Sequence, residues 1–208
     1  MTDHTGRHQD YEYTEENRVN KVTDAQGRVT QYTYQAIPTY SNSDTGTACP
    51  ADLPESSFRG IASVLYPTSS TPTVNTYATD RIVKQTTSRG ETWKFAYRRT
   101  GACVVKLTPD ATLNPTTAAS KVWDYTCRAG QSLANRVCAS GTCTTTEVGT
   151  CPDTDSEDNR AAGWRFYGGT VQETVVTQPN GATTRSKFNA RGMITETVDE
   201  LGQRKQFT

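Results

Sequence analysis

The stretch Val22-Thr23-Asp24-Ala25-Gln26-Gly27-Arg28-Val29-Thr30-Gln31-Tyr32-Thr33-Tyr34 decides the fold. Thr30, Tyr32 and Tyr34 alternate along the chain and therefore share one face of a strand. Gly27 lies where the chain must reverse, because glycine adopts positive φ without a steric penalty. The stretch therefore predicts a β-hairpin, with an aspartate three residues before its turn glycine and tyrosines five and seven residues after it.

This frame recurs along the chain. Asn17 takes one turn position, and asparagine is the non-glycine residue that best tolerates left-handed backbone. The predicted turn residues are Gly6, Asn17, Gly27, Gly90, Gly101, Gly181, Gly192 and Gly202. The first three and the last three of these positions are both separated by steps of eleven and then ten residues. The matching aromatic positions are Tyr11, Tyr13, Tyr32, Tyr34, Phe95, Tyr97, Phe188 and Phe207.

Each repeat unit of about 21 residues predicts two short strands and two tight turns, too little to bury a face alone. Units stacked edge to edge would bury their aromatic and Val/Ile rows together. Asn180-Gly181 indicates a two-residue hairpin turn. The chain begins and ends within the pattern, so we expect open strand edges at both ends and a longer sheet beyond them.

The composition agrees with β-structure. Only 33% of the 208 residues are hydrophobic, and the mean hydropathy is −0.71. Threonine is the commonest residue and tyrosine occurs 10 times, and both suit a half-exposed pleated surface. Long windows with helical apolar spacing are hard to find, so few helices are expected.

The charge pattern argues against two classes of partner. The 22 basic and 22 acidic residues are interspersed and give a formal net charge of zero. No basic stripe would release phosphate counterions, so nucleic-acid binding is not expected. No basic amphipathic helix or long apolar run occurs either, so membrane insertion is not expected.

The localisation signals conflict. The N-terminus has no apolar segment typical of a signal peptide. Six cysteines in a threonine-rich chain nevertheless indicate an oxidising compartment, and hence a secreted or cell-surface protein. A fragment, or export without an N-terminal signal, would reconcile the two observations.

The repeat resembles the RHS/YD-repeat family, whose unit has a Tyr-Asp-x-x-Gly-Arg turn followed by paired tyrosines. The resemblance is clearest from Tyr11 to Tyr34, where Thr14 replaces the family's aspartate and Asn17 its glycine. A second copy runs from Arg81 to Gly101 with Thr87 at the turn aspartate. A third runs from Val176 to Gly202 with Gln178 at that place. The three copies cover about half of the chain.

The resemblance implies consecutive antiparallel hairpins in a curved sheet, which is a segment of a hollow β-shell. Bacterial Rhs proteins, Tc toxin C components and teneurins have such shells, and in bacteria the shell encloses a toxin. The implied partners are the remainder of a larger shell or its toxin cargo. This chain lacks a terminal Asp-Pro-x-Gly-Leu motif and a toxin-like tail after Gly202.

Carbohydrate binding is a further activity that the resemblance implies, with Tyr32 and Trp93 as stacking surfaces. The alternative for these aromatics is that they fill the face of the sheet, which is favoured. The alternative function is a module that binds a glycan or a cell-surface protein through the cysteine-containing inserts or the exposed aromatics.

Two inserts interrupt the repeats. The predicted organisation is repeats at 1–34, a Pro/Ser/Thr-rich insert at 35–79, a repeat at 80–113, a Cys-rich insert at 114–169 and repeats at 170–208. We expect the first insert to form loops around one or two short strands, including the apolar run Ile61–Tyr66. Gly168-Gly169 indicates a hairpin that joins Trp164–Tyr167 to Thr170–Thr177.

The cysteines favour disulfides over zinc, because no Cys-x-x-Cys spacing and no nearby histidine occurs. Disulfides would stabilise inserts with little apolar surface to bury. The candidates are Cys49, Cys103, Cys127, Cys138, Cys143 and Cys151. Spacing does not settle the pairing, although two bridges within Cys127–Cys151 and a Cys49–Cys103 bridge are preferred.

No pattern predicts an enzyme or a cofactor, because no nucleophile–base pair, metal set or phosphate loop is evident. Asp153–Asn159 begins like a calcium loop but lacks the required glycine and final glutamate, so a solvated acidic loop is favoured. His4 and His8 are too far apart on a strand to share a metal, and no role is assigned to them.

Overall fold

The computed structural model of the protein describes residues 2, 4, 6–39, 56–78, 81–107, 123–139 and 142–207. Within these ranges the chain folds as antiparallel β-structure with one short helix. The sequence-based prediction of an all-β fold made of consecutive hairpin strands is therefore confirmed.

In chain order, the elements are β1 (Asp10–Tyr13), β2 (Val19–Thr23), β3 (Val29–Thr39), β4 (Ser56–Leu65), β5 (Thr73–Ala78), β6 (Arg81–Thr86), β7 (Thr92–Thr100), β8 (Cys103–Leu107), β9 (Trp123–Arg128), β10 (Ser132–Ala139), β11 (Thr142–Thr150), β12 (Thr154–Asp155), α1 (Glu157–Ala161), β13 (Trp164–Tyr167), β14 (Thr170–Thr177), β15 (Thr183–Phe188), β16 (Ile194–Val198) and β17 (Arg204–Gln206).

The main sheet follows the order of the sequence with one interruption. Its strands run from β1 to β7, continue with β14, and end at β17. The short strand β12 also pairs with β7. The residues of the terminal strands β1 and β17 are all exposed. Sequence neighbours thus become sheet neighbours, as expected when each strand is joined to the next by a short connection.

The interruption between β7 and β14 holds two smaller sheets, with the strand orders β13-β8-β9 and β10-β11. The ribbon of β7 and β14 continues into the ribbon of β8 and β13, since Thr100 pairs with Thr170 and Cys103 pairs with Tyr167. Gly101 therefore carries the chain from one sheet to the next without reversing it, which corrects its prediction as a repeat turn.

The hairpin predicted at Gly168-Gly169 is also wrong. β13 pairs with β8, and β14 pairs with β7 and β15, so β13 and β14 are not partners. Both glycines have positive φ, at 64° and 76°, but they turn the ribbon between sheets. A Cβ on Gly169 would lie 2.6 Å from the backbone nitrogen of Ala102, so this close crossing requires glycine.

The inserts contain more strand than the sequence predicted. In the described part of 35–79, β3 extends to Thr39, and β4 and β5 are full members of the main sheet. Tyr32 pairs with Val64 and Val64 with Thr73, so the apolar run predicted as a short strand continues the repeat sheet. The described part of 114–169 is likewise mostly strand.

The main hydrophobic cluster lies at the three-stranded sheet, outside the repeats. Its buried members are Ala102, Val104, Cys127, Cys151 and Phe166, and Ala129 and Trp164 pack against it. Among the described residues, no helix is long and apolar enough to cross a membrane.

Candidate functional site

Six turns of the main sheet share one backbone hydrogen-bond pattern. In each, the first residue's N–H donates to the carbonyl four residues later, and the fourth residue's N–H donates back to the first carbonyl. The fourth residue has a φ between 57° and 85°. This geometry is that of a three-residue hairpin loop closed by a G1 bulge. The six turns are Thr14–Arg18, Asp24–Arg28, Thr87–Glu91, Gln178–Ala182, Asn189–Met193 and Asp199–Gln203.

The first side chain of three of these turns caps the loop. The Oδ1 atoms of Asp24, Asn189 and Asp199 each accept the N–H groups two and four residues later, at 2.8–3.1 Å. The hydrogen bond from the Arg28 N–H lowers the pKa of Asp24 below its ordinary value. The sequence frame missed Asn189, although an asparagine three residues before a turn glycine was a sufficient signal.

The turn at Asn180-Gly181 differs from its prediction. Gln178 N–H donates to the Ala182 carbonyl, so the loop has three residues, which begin with Pro179. Proline suits the position after the first residue of such a turn because its φ is fixed at a suitable value. Asn180 Oδ1 accepts the Ala182 N–H at 3.0 Å.

Two repeats match in their side chains as well as in their turns. The guanidinium of Arg18 lies 5.7 Å from the ring centroid of Tyr34, and that of Arg81 lies 5.5 Å from the ring of Tyr97. Each tyrosine hydroxyl donates to the carbonyl of the residue after its arginine, at 2.6 Å and 2.7 Å. The two sets are 63 residues apart. We call β2–β3 the first repeat and β6–β7 the second repeat.

The other repeat aromatics divide into two groups. Tyr32, Phe95 and Phe188 are partly buried, as is Trp93. The remaining three are more exposed and lie at the edges of the sheet: Tyr11, Tyr13 and Phe207, with exposed fractions of 37%, 58% and 41%. The aromatics between neighbouring strands thus fill the sheet surface, and those at the edges are available for contact.

An internal segment covers the second repeat. We call residues 151–161, which include β12 and α1, the strap. Beyond the last β6–β7 pair, Tyr97 pairs with Asp155, and Arg99 N–H donates to the Asp153 carbonyl at 2.7 Å. Arg99 and Asp155 form an ion pair at 2.8 Å, with side chains only 1% and 2% exposed. The strap is therefore part of the folded sheet.

The helix of the strap neutralises two opposed lysines. Lys84 and Lys94 are direct partners on β6 and β7, where like charges repel. The carboxylate of Glu157 contacts the Lys84 ammonium at 2.9 Å and that of Lys94 at 3.0 Å. These hydrogen bonds lower the pKa of Glu157. Asp155 and Glu157 are thus engaged by cations, so the prediction of a solvated acidic loop at 153–159 is wrong.

Two polar side chains of β13, next to the strap in sequence, are shielded from water. Burial raises the pKa of the Tyr167 hydroxyl to about 12. Burial also lowers the pKa of Arg165, whose guanidinium donates to the Arg160 carbonyl at 2.9 Å. This cluster was not predicted from the sequence.

A groove lies on the first repeat. Its volume is about 410 Å³. It is lined by Thr14, Glu15, Glu16, Arg18, Asn20, Tyr32, Thr33, Tyr34 and Arg59. Arg18 Nε and Asn20 Oδ1 are buried and have no hydrogen-bond partner within the described residues. Val83, with no exposed surface, takes the place of Asn20 in the second repeat.

The cysteines form disulfides where their side chains are described. Cys127 and Cys151 are bonded across a Cα–Cα distance of 6.2 Å, which confirms a bridge within Cys127–Cys151. Cys103 is also disulfide-bonded. Cys138 and Cys143 are direct backbone partners on β10 and β11, and a bridge between them remains a prediction. Cys49 lies outside the described residues, so its pairing with Cys103 also remains a prediction.

The remaining candidate side chains in the described ranges include His8 and Trp164. His8 Nε2 lies 3.6 Å from Asp10 Oδ2 at the exposed edge. No cluster of three or more His, Cys, Asp or Glu side chains able to hold a metal occurs in the described ranges. Trp164 packs against the hydrophobic cluster, and Lys106 Nζ lies 5.4 Å from its ring centroid.

No protein-family model and no curated protein matches the chain. Within the described residues, the repeated hairpins end in the exposed strands β1 and β17, and a groove lies on the first repeat.

Proposed function

We propose that the chain is a structural segment of an RHS-type repeat protein, which contributes to a β-shell that encloses or delivers a toxin or mediates cell contact. The observation that carries this proposal is the set of six identically closed turns, together with the two matching Arg–Tyr repeats. A frame that returns in both backbone and side chains is expected of a repeat architecture that extends by adding units.

The proposed chemistry is steric enclosure. The sheet contributes a wall, and the exposed strands β1 and β17 pair with further units. The Cys127–Cys151 bridge supports an exported protein, because disulfides persist in oxidising compartments.

The test begins with the coding sequence on both sides of this chain. We expect further Tyr-Asp/Gly-Arg units there, and a shell in the structure of the joined product. A segment enclosed by that shell should resist added protease until the shell is unfolded. If the joined product forms no continuation of the sheet, or if the enclosed segment is digested as fast as a free one, the proposal is wrong.

A second proposal is a module that binds a glycan or a surface protein through exposed aromatics. Tyr13 and Tyr66 are 58% and 50% exposed, and both could stack on a ligand. Saturable binding on a glycan array, lost in Tyr13→Ala or Tyr66→Ala but kept in Tyr34→Phe, would favour it. Trp164 is a poor test residue, since its loss would disturb the hydrophobic cluster.

A further inference from the structure

The two strands of each repeat separate at the same position in the repeat. The last ladder pair is Lys21 with Gln31 in the first repeat and Lys84 with Lys94 in the second. Beyond these pairs the tyrosine hydroxyl, rather than the backbone, spans the two strands. Each repeat therefore leaves one side of its second strand, β3 or β7, to be paired by something else.

The second repeat shows what such an edge accepts. The strap enters as an antiparallel strand, with Arg98 paired to Thr154 and Tyr97 paired to Asp155. The equivalent positions of the first repeat are Gln35 and Tyr34, which pair with β4 on their other side. Pro38 follows on β3, and proline is tolerated where a strand has a free edge. Beyond Gln31, the described residues supply no strand on this side of β3.

We propose that the groove on the first repeat binds an extended, acidic segment of a partner polypeptide, which adds to β3 as the strap adds to β7. The unsatisfied groups of the groove suit a peptide backbone. Arg18 Nε lies 3.6 Å from Glu16 Oε2 but makes no hydrogen bond, and Asn20 Oδ1 accepts none within the described residues. An extended peptide offers carbonyl and N–H groups in alternation.

The charges favour an acidic peptide. The strap presents Asp155 and Glu157 to Arg99, Lys84 and Lys94. In the first repeat, Arg18 and Arg59 line the groove together with Glu15 and Glu16. Glu16 holds Arg18 and Arg59 at 3.6 Å and 2.9 Å, but its side chain is 51% exposed. A peptide carboxylate can therefore exchange with Glu16, whose exposed ion pairs are weak.

The probe is a fluorescently labelled peptide with the sequence of residues 152–161, and the measurement is its anisotropy on titration with the full chain. We expect saturable binding. A peptide N-methylated at Asp155 keeps every charge but loses an N–H that faces the paired strand, and should bind about tenfold more weakly. A peptide with asparagine at each aspartate and glutamine at its glutamate should also bind more weakly. Equal binding of the N-methylated peptide, or no saturation, would overturn the proposal.

Two variants of the chain locate the site. Asn20→Val copies the second repeat, so it should preserve or raise stability while it weakens peptide binding about fivefold. Arg18→Gln should also weaken binding, and its matched control Arg81→Gln should not. If Arg81→Gln has the larger effect, the peptide has displaced the strap from the second repeat, and the groove is not its site. Unchanged binding in both Asn20→Val and Arg18→Gln leads to the same conclusion.

Discussion

The first and second repeats share one hairpin geometry, but different parts of the chain surround them. Both close their hairpin at a positive-φ glycine, Gly27 or Gly90, and both place an arginine over a tyrosine. In the second repeat the strap buries Arg99, whereas the equivalent residue of the first repeat is the exposed Ala36. Local sequence thus sets the hairpin, and a distant segment decides what covers it.

Polar groups near the point where the strands of each repeat separate also differ in their hydrogen-bond partners. In the second repeat, polar groups near the divergence find partners on the strap, as Arg99 N–H does on Asp153. In the first repeat, two buried polar atoms have no such partner in the described part of the chain. An unsatisfied buried group is costly, so a partner that supplied a donor and an acceptor would stabilise the first repeat.

The largest expected effect comes from breaking the strap. Asp155→Ala leaves Arg99 buried without its carboxylate, and should lower the free energy of unfolding by about 3–5 kcal/mol. Glu16→Ala is the matched change in the first repeat, and should cost below about 1 kcal/mol because its ion pairs are exposed. Urea unfolding measures both. Similar losses for the two variants would show that the repeats are equally covered.

The second-largest expected effect is a difference in stability cost between substitutions at two glycines that both have positive φ. Gly169→Ala should cost about 3 kcal/mol, because a left-handed conformation is combined with a backbone overlap. Gly27→Ala should cost about 1 kcal/mol, because strain alone acts there. A Cβ on Gly27 would meet nothing within 4 Å. Thermal unfolding of both variants measures the difference, and a reversed order would contradict the ribbon crossing at Gly169.

A smaller effect tests the equivalence of the repeats directly. Tyr34→Phe and Tyr97→Phe each remove one hydroxyl that donates to a backbone carbonyl. Each should lower the free energy of unfolding by about 1 kcal/mol. Chemical denaturation should give nearly equal losses. A loss of stability in only one variant would show that the two hydrogen bonds, although alike in geometry, differ in strength.

The smallest effect is a pH dependence of the strap. The lysines lower the folded pKa of Glu157 below its ordinary value of 4.5. Its contribution is therefore complete above that value and is lost as the pH falls through the lower folded pKa. The contribution should be below about 1 kcal/mol, because the pair is partly exposed. Glu157→Gln should flatten this part of the stability–pH curve, and an unchanged curve would argue against the contact.

Much of the fold could be read from the sequence. The spacing of Asp24, Gly27, Tyr32 and Tyr34 predicts a hairpin, because turn and strand preferences act over a few residues. The same reasoning failed at Gly101 and Gly168. A positive-φ glycine shows that the chain turns, but it does not show which strand will be its partner.

Little of the candidate groove and strap could be predicted. Arg99 and Asp155 are 56 residues apart, and no local pattern links a strand arginine to an aspartate in an acidic run. The run of residues 153–159 resembled a solvated loop because its composition is acidic. Only the cations of β6 and β7 make that composition suitable for packing.

The sequence by itself determined the β-class, the positions of the repeat turns and the likeness of the repeats to one another, since these depend on short-range backbone preferences. The tertiary structure decided the partners of β8 and β13, the Cys127–Cys151 bridge, and which repeat is covered. These depend on contacts between distant segments, whose closure no short pattern encodes. Within the described residues, the open edge of β3 is likewise recognised only by comparison with β7, whose equivalent edge pairs with the strap.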